Sequence, residues 1–272
     1  MNELVFAYWE GFTATGPAPD AAPALRCTPA CVDIVALAFA VPVPGSSIST
    51  DFLTSKNTQT TILADAALLR ARGQKIIISI NGNPAMLWSA LDPARFAQSV
   101  KALADSWSLD GIDLDNEEPG EIPGANFVAV IKAIRAAMGP DFIISYPAFL
   151  PFRDAFLAQV KDELTLVCTM AYWNDYDYAV SLFQTYAGWV GAEKVCIGVK
   201  PGQNGSDQST PIAALARLAA YEPPGARKAG VMLYSLSLDI EPVTGQSRFD
   251  WTKRIHNNMA SARAAAGDRN EL

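Results

Sequence analysis

Residues Asp110-Gly111-Ile112-Asp113-Leu114-Asp115-Asn116-Glu117 set three carboxylates at a spacing of two. That is the period of a β-strand, so Asp113, Asp115 and Glu117 share one face while Ile112 and Leu114 occupy the other. Aspartate is depleted in strands, and an unpaired buried charge is costly. A strand that breaks both rules marks a functional site. Carboxylates roughly 5–7 Å apart cannot all ionise freely, so at least one proton is retained near neutral pH. A carboxyl that keeps its proton can protonate a leaving group. A calcium loop would need Gly at its sixth position; counted from Asp113 that position is Glu118, followed by Pro119. A solvated strand face is the remaining alternative, and it leaves the acids without a role.

Composition narrows the chemistry. The chain has 272 residues, half of them hydrophobic and 18% charged, with a net charge of -7. Such a balance argues against nucleic acid and anionic membranes as partners. No apolar run reaches the ~18 residues of a membrane span. The start, MNELVFAYW, lacks the basic residues and long apolar stretch of a signal peptide, which fits a cytoplasmic protein or a mature exported form. The single histidine, His256, lies far from any cluster, which removes Ser-His-Asp and Cys-His chemistry and a zinc site. Cys168 and Cys196 sit in apolar runs and are expected to be buried and unpaired. Cys27 and Cys31 are close enough to close a small loop under oxidising conditions.

Elements must hold the acidic strand in place. Strands are expected at Leu4–Trp9, Ile34–Ala40, Lys75–Ile80, Gly111–Glu117, Phe142–Tyr146, Leu164–Tyr172, Val195–Lys200 and Gly230–Ser235. Helical patterns fall at Thr60–Arg72, Pro93–Trp107, Ala125–Met138, Arg153–Lys161, Tyr178–Val190, Pro211–Ala220 and Trp251–Ala265. Eight strands, mostly followed by helices, predict an α/β fold: a single (β/α)8 TIM barrel spanning 1–272 as one domain. Residues 13–31 are rich in Pro and Ala, so the first helix is expected to be irregular or missing. A doubly wound open sheet would need a Gly-rich phosphate loop after the first strand, and none is there.

In such a barrel the chemistry sits at the carboxyl ends of the strands. Glu117 then stands at the mouth, with Asp115 and Asp113 progressively deeper. Other strand ends bring Tyr8 and Trp9, Ser79 and Asn81, Tyr146, Met170, Tyr172 and Trp173, and Tyr234 with Ser235. Aromatic rings stack on the apolar face of a sugar, and hydroxyls and amides bind its rim.

With these residues in view, the sequence resembles glycoside hydrolase family 18, which contains chitinases and endo-β-N-acetylglucosaminidases. Asp110–Glu117 matches that family's DGxDxDxE signature at every fixed position. FAYW (Phe6–Trp9), ALAFA (Ala36–Ala40), ISING (Ile78–Gly82), TMAY (Thr169–Tyr172) and GVMLYSL (Gly230–Leu236) resemble its strands one, two, three, six and eight, in order. The resemblance implies retaining, substrate-assisted hydrolysis of N-acetylglucosamine-containing carbohydrate that requires no metal and no organic cofactor. Glu117 would be the general acid and base, and Asp115 would orient the substrate's acetamido group. Asp113 would tune Asp115 by sharing a proton, while Asp110 supports the start of the strand. Tyr172 would hold the acetamido oxygen and Tyr8 would line the floor. Ser79, Asn81, Met170, Trp173, Asn174 and Tyr234 are the further candidates for substrate contact.

Three positions depart from the family pattern: Trp173 follows the strand-six tyrosine in place of Asp or Asn, Tyr234 replaces a floor Trp, and Asn81 replaces a Gly. Lys200 to Gly230 is too short for an inserted α+β module, which predicts an open groove and internal cleavage. The resemblance thus implies an endo-acting chitinase. The alternatives are an endo-β-N-acetylglucosaminidase acting on N-glycan cores and a lectin that binds without cutting.

Overall fold

Branched and aromatic runs supply the strands in the computed structural model, which describes residues 3–118, 121–202 and 208–269. They are β1 (Leu4–Glu10), β2 (Ile34–Val43), β3 (Ser47–Ser49), β4 (Lys75–Asn81), β5 (Gly111–Asp115), β6 (Ile143–Ala148), β7 (Leu166–Thr169), β8 (Val195–Val199) and β9 (Gly230–Leu233). All but β3 pair in parallel in the order β1-β9-β8-β7-β6-β5-β4-β2, and a β1–β2 pairing closes the ring. The short β3 folds back antiparallel on the extended end of β2. Helices α1 (Gln59–Ala71), α2 (Pro93–Trp107), α3 (Ala125–Met138), α4 (Pro151–Asp154), α5 (Tyr176–Val190), α6 (Ile212–Ala220), α7 (Glu241–Thr244) and α8 (Asp250–Arg269) accompany them. The fold is a (β/α)8 barrel, as the alternation predicts. Both strand faces are buried, one against the helices and one inside the barrel, so the strands read as nearly continuous apolar runs.

Local chemistry explains the boundaries. Asp92 accepts from Arg95 N at 2.9 Å and Pro93 opens α2, a capped start whose φ is already set. Asp175 caps α5 through Tyr178 N at 2.9 Å. Gly198 has no substitute, because a Cβ there would lie 1.7 Å from the Thr169 carbonyl oxygen of the adjacent strand.

Several expected boundaries move. Between β1 and β2 there is a single 3-10 turn, Leu25–Cys27, because Pro17, Pro19, Pro23 and Pro29 withdraw backbone donors. Trp9 Nε1 donates to Pro23 O at 2.9 Å and pins that loop. The helix expected over Arg153–Lys161 is one turn, α4, followed by a 3-10 turn over Ala155–Gln159. Its cause is Asp154, which is buried and accepts from Phe149 N, Leu150 N and the Tyr146 and Tyr186 hydroxyls. A side chain so engaged competes with regular helical bonding. The strand expected over Leu164–Tyr172 is paired only over Leu166–Thr169, and that over Gly111–Glu117 ends at Asp115. Of the connection from β8 to β9, the described part carries α6 and no further sheet. Cys168 and Cys196 are buried free thiols, and Cys27 and Cys31 are also free.

Candidate active site

Register brings the acids their partners. Asp113 on β5 stands opposite Ser79 on β4 and Ser145 on β6, and Asp115 stands opposite Asn81. Ser79 Oγ donates to Asp113 Oδ2 at 2.7 Å and Ser145 Oγ to Oδ1 at 2.6 Å. Tyr8 reaches across from β1, and its hydroxyl donates to Oδ2 at 2.8 Å. Burial raises the Asp113 pKa, while these three hydroxyls pull it back down. Both Asp113 oxygens are therefore occupied by hydroxyl donors.

Asp115 is held differently. Oδ2 accepts from Asn81 Nδ2 at 2.8 Å, whereas among the described residues buried Oδ1 meets no N–H or hydroxyl donor. Burial first, then the charges of Glu117 and Asp113, push its pKa well above the ordinary carboxylate value. A hydrogen bond between Asp115 and Glu117 also contributes, and a bond between two carboxyls requires a proton on one of them. Glu117 stands exposed at the mouth, yet protein atoms crowd it on the pocket side. This partial desolvation raises its pKa, against the pull of the Asp115 bond and the Arg153 charge. At the other end of the strand, Asp110 accepts from Lys75 Nζ at 2.8 Å and Ile76 N at 2.9 Å.

Above the acids lies a cavity of about 170 Å³ lined by Tyr8, Asp115, Glu117, Met170, Tyr172, Trp173 and Tyr234. Burial raises the pKa of Tyr8, Tyr172 and Tyr234, so all three keep their hydroxyl hydrogens at neutral pH. Among the described residues the Tyr172 hydroxyl meets only Met232 Sδ, at 3.7 Å, a weak acceptor. The Tyr172 and Tyr234 rings stack at 6.0 Å, and Tyr8 meets Tyr234 edge-on at 5.4 Å. Cis peptide bonds join Ala38 to Phe39 and Tyr234 to Ser235 at this end of the barrel.

Two expected contact residues stand elsewhere. Ser79 lies beneath the cavity, fully buried against Asp113. Asn174 is outside the lining, turned back by its N–H to Ala171 O at 3.3 Å as the chain enters α5. Asn81 touches the cavity indirectly, through Asp115. Pro147, Lys200 and Gln208 complete the lining and were not expected. Ser145 and Arg153 also escaped notice. A serine in an apolar strand and an arginine in a loop carry no motif, and only the register and the turn at α4 bring them to the acids. Among the described residues no three of His, Cys, Asp and Glu are grouped to hold a metal ion, and no helix is long and apolar enough to cross a membrane.

Beside Asn81 a second groove runs along the rim, lined by Phe12, Phe39, Val41 and Phe52. Tyr234, Phe39, Phe12 and Phe52 form a run of near-parallel rings out of the acid-lined cavity, with interplanar angles of 25°, 15° and 21°.

Comparison with known proteins follows this geometry. Chitinase 1 of Aphanocladium album is 26% identical over 222 residues, covering 72% of this chain and 50% of that protein. Chitinase 2 of Rhizopus oligosporus is 26% identical over 212 residues, 68% of this chain and 39% of that protein. The chain thus spans half or less of the length of these two curated relatives. A family 18 chitinase from Pseudoalteromonas aurantia superposes with a TM-score of 0.73 at 19% identity, covering 94% of this chain and 100% of that one. An endo-β-N-acetylglucosaminidase from Cordyceps militaris gives 0.69 at 19%, covering 95% and 91%. The family model for glycosyl hydrolases family 18 matches residues 5–190, from β1 through the acidic strand to the end of α5, and the chain belongs to that family.

Proposed function

We propose that this chain is an endo-acting, retaining hydrolase of β-1,4-linked N-acetylglucosamine polymers that works by substrate assistance. The observation carrying this is the Asp115–Glu117 pair: two carboxyls lining one cavity, with a buried Asp115 oxygen that meets no donor among the described residues. Glu117 protonates the glycosidic oxygen as the bond to the anomeric carbon breaks. The substrate's own acetamido carbonyl oxygen closes onto that carbon from the opposite side. Asp115 Oδ1 accepts the acetamido N–H and stabilises the oxazolinium ion, while the Tyr172 hydroxyl donates to the acetamido oxygen. Glu117, now ionised, takes a proton from water as the water opens the ring, and configuration is retained.

A cavity of about 170 Å³ is below the roughly 300–1,000 Å³ of pockets that enclose a whole drug-sized ligand. It suits one sugar ring, and the rest of the polymer runs along the open rim. An endo-β-N-acetylglucosaminidase is the second reading. Tyr234 in the cavity wall and Trp173, 51% exposed beside it, leave room for a branched glycan core. A lectin without turnover would have no use for the retained Glu117.

Hydrolysis of a chromogenic N-acetylglucosamine oligomer and of a high-mannose glycoprotein, with products separated by chromatography, tests all three. Glu117→Gln is expected to lower kcat by roughly 10²–10⁴ while binding persists. Turnover of neither substrate by the intact chain, with binding kept, would refute the hydrolase.

A further inference from the structure

The strand carrying the acids ends at Asp115, where Gly82 N still donates to its carbonyl at 2.9 Å. Glu117 rides on the segment beyond, where no ladder holds the backbone. Two buried side chains hold it instead. Glu121 closes the far end, its carboxylate accepting from Trp88 N at 3.0 Å and Ser89 N at 2.5 Å. Arg153 takes the near side: its Nη2 reaches the carbonyls of Asn116 at 3.3 Å, Glu118 at 3.2 Å and Glu121 at 2.7 Å. These carbonyls bracket Glu117 in sequence.

Arg153 is 6% exposed and lies over the Phe149 ring at 5.2 Å. Among the described residues it forms no ion pair. Its neighbour Asp154, bonded to two tyrosine hydroxyls and two amides, fixes the turn that presents it. Backbone carbonyls alone do not require a charged donor, and burying a cation is costly. The charge has a use at Glu117.

We propose that Arg153 is the positioning residue for the general acid: it clamps the segment bearing Glu117 and sets a positive charge beside its carboxyl. This rests on Glu117 being the acid. Asp115 from β5, Tyr172 beyond β7, Lys200 beyond β8 and Tyr234 beyond β9 share the cavity with Glu117, and the charges of Asp113 from β5 and Arg153 from α4 also bear on the pair. Arg153 favours the ionised form of Glu117. Removing that charge lets Glu117 keep its proton to higher pH, so the alkaline limb of kcat/KM, where the acid is lost, moves up.

The test uses Arg153→Gln and Arg153→Lys in the full chain. Each is checked by circular dichroism and melting, then by kcat, KM and pH profile on the chromogenic oligomer. Carboxyl ¹³C NMR titration, assigned with Glu117→Gln, reads the same acid without turnover. Arg153→Gln is expected to lose roughly 10²-fold in kcat through misplacement of the acid, with KM little changed and both the limb and the titration moved to higher pH. Arg153→Lys is expected to restore the limb but only part of kcat, since an ammonium does not reproduce the planar guanidinium fork. Full activity in Arg153→Gln, lost activity with an unmoved profile and titration, or failure of both variants to fold would each overturn the proposal. If the wild type cleaves no N-acetylglucosamine substrate, the hydrolase fails, and the titration still decides what Arg153 does to Glu117.

Discussion

Replacing Tyr8 with phenylalanine takes one donor from a buried carboxylate and leaves the ring in place. The ring keeps its neighbours Phe6 at 5.3 Å and Tyr234 at 5.4 Å, so no cavity forms. What is lost is the 2.8 Å bond to Asp113 Oδ2. A hydrogen bond to a charged group contributes about 1.5–3 kcal/mol. Ser79 and Ser145 still serve Asp113, which puts the expected loss near the lower end, about 2 kcal/mol at pH 7. For a chain of this size that lowers Tm by roughly 4–8 °C. The sign with pH follows from Asp113. Its folded pKa is raised by burial, and the Tyr8 hydroxyl opposes that rise, so in the variant it climbs further. The difference between the proteins is therefore full above the variant's folded Asp113 pKa. It shrinks as pH falls through that value, because a neutral acid accepts only an ordinary bond. Urea unfolding of both proteins from pH 7 downward measures it. A loss under about 0.5 kcal/mol at pH 7, or a gap that widens on acidification, would refute Asp113 as a hydroxyl-held carboxylate.

Two other changes probe the neighbourhood. Asp115→Asn removes a carboxyl whose folded pKa lies well above its ordinary value. That penalty is absent below about pH 4 and grows as pH rises toward the folded pKa. The variant should melt higher than wild type at pH 7, equal it near pH 4, and lose roughly 10²–10³ in kcat; a lower melting point at pH 7 would contradict the reasoning. Phe52→Ala opens the rim groove, where Phe52 is 47% exposed and stacks on Phe12 at 4.7 Å. It should raise KM for long oligomers by about 2–10-fold and spare trimers, and equal effects on both lengths would remove the groove from the substrate path.

Much of the fold and the centre of the site could be read along the chain, because their signals are local. Alternating acids announced the strand that lines the cavity, and eight apolar runs separated by amphipathic segments announced the barrel. Prolines between Thr13 and Cys31 foretold the missing first helix. Glu117, Asp115, Tyr172 and Tyr234 all reach the cavity expected of them. The helix expected over Arg153–Lys161 failed because its periodicity carries no trace of Asp154's bonds to Tyr146 and, 32 residues away, Tyr186. Asn174 follows a motif position and still misses the cavity, since the cap of α5 turns the chain away at Asp175.

Amino-acid types and spacing by themselves determined the acids, their shared face and the elements around them, because period and propensity act within a few residues. Tertiary structure alone decided which hydroxyls hold Asp113, which Asp115 oxygen meets no donor among the described residues, and which guanidinium binds the carbonyls on either side of Glu117. Those depend on strand register and on a turn anchored 32 residues away at Tyr186, and contacts of that range leave no pattern in the sequence until the barrel closes.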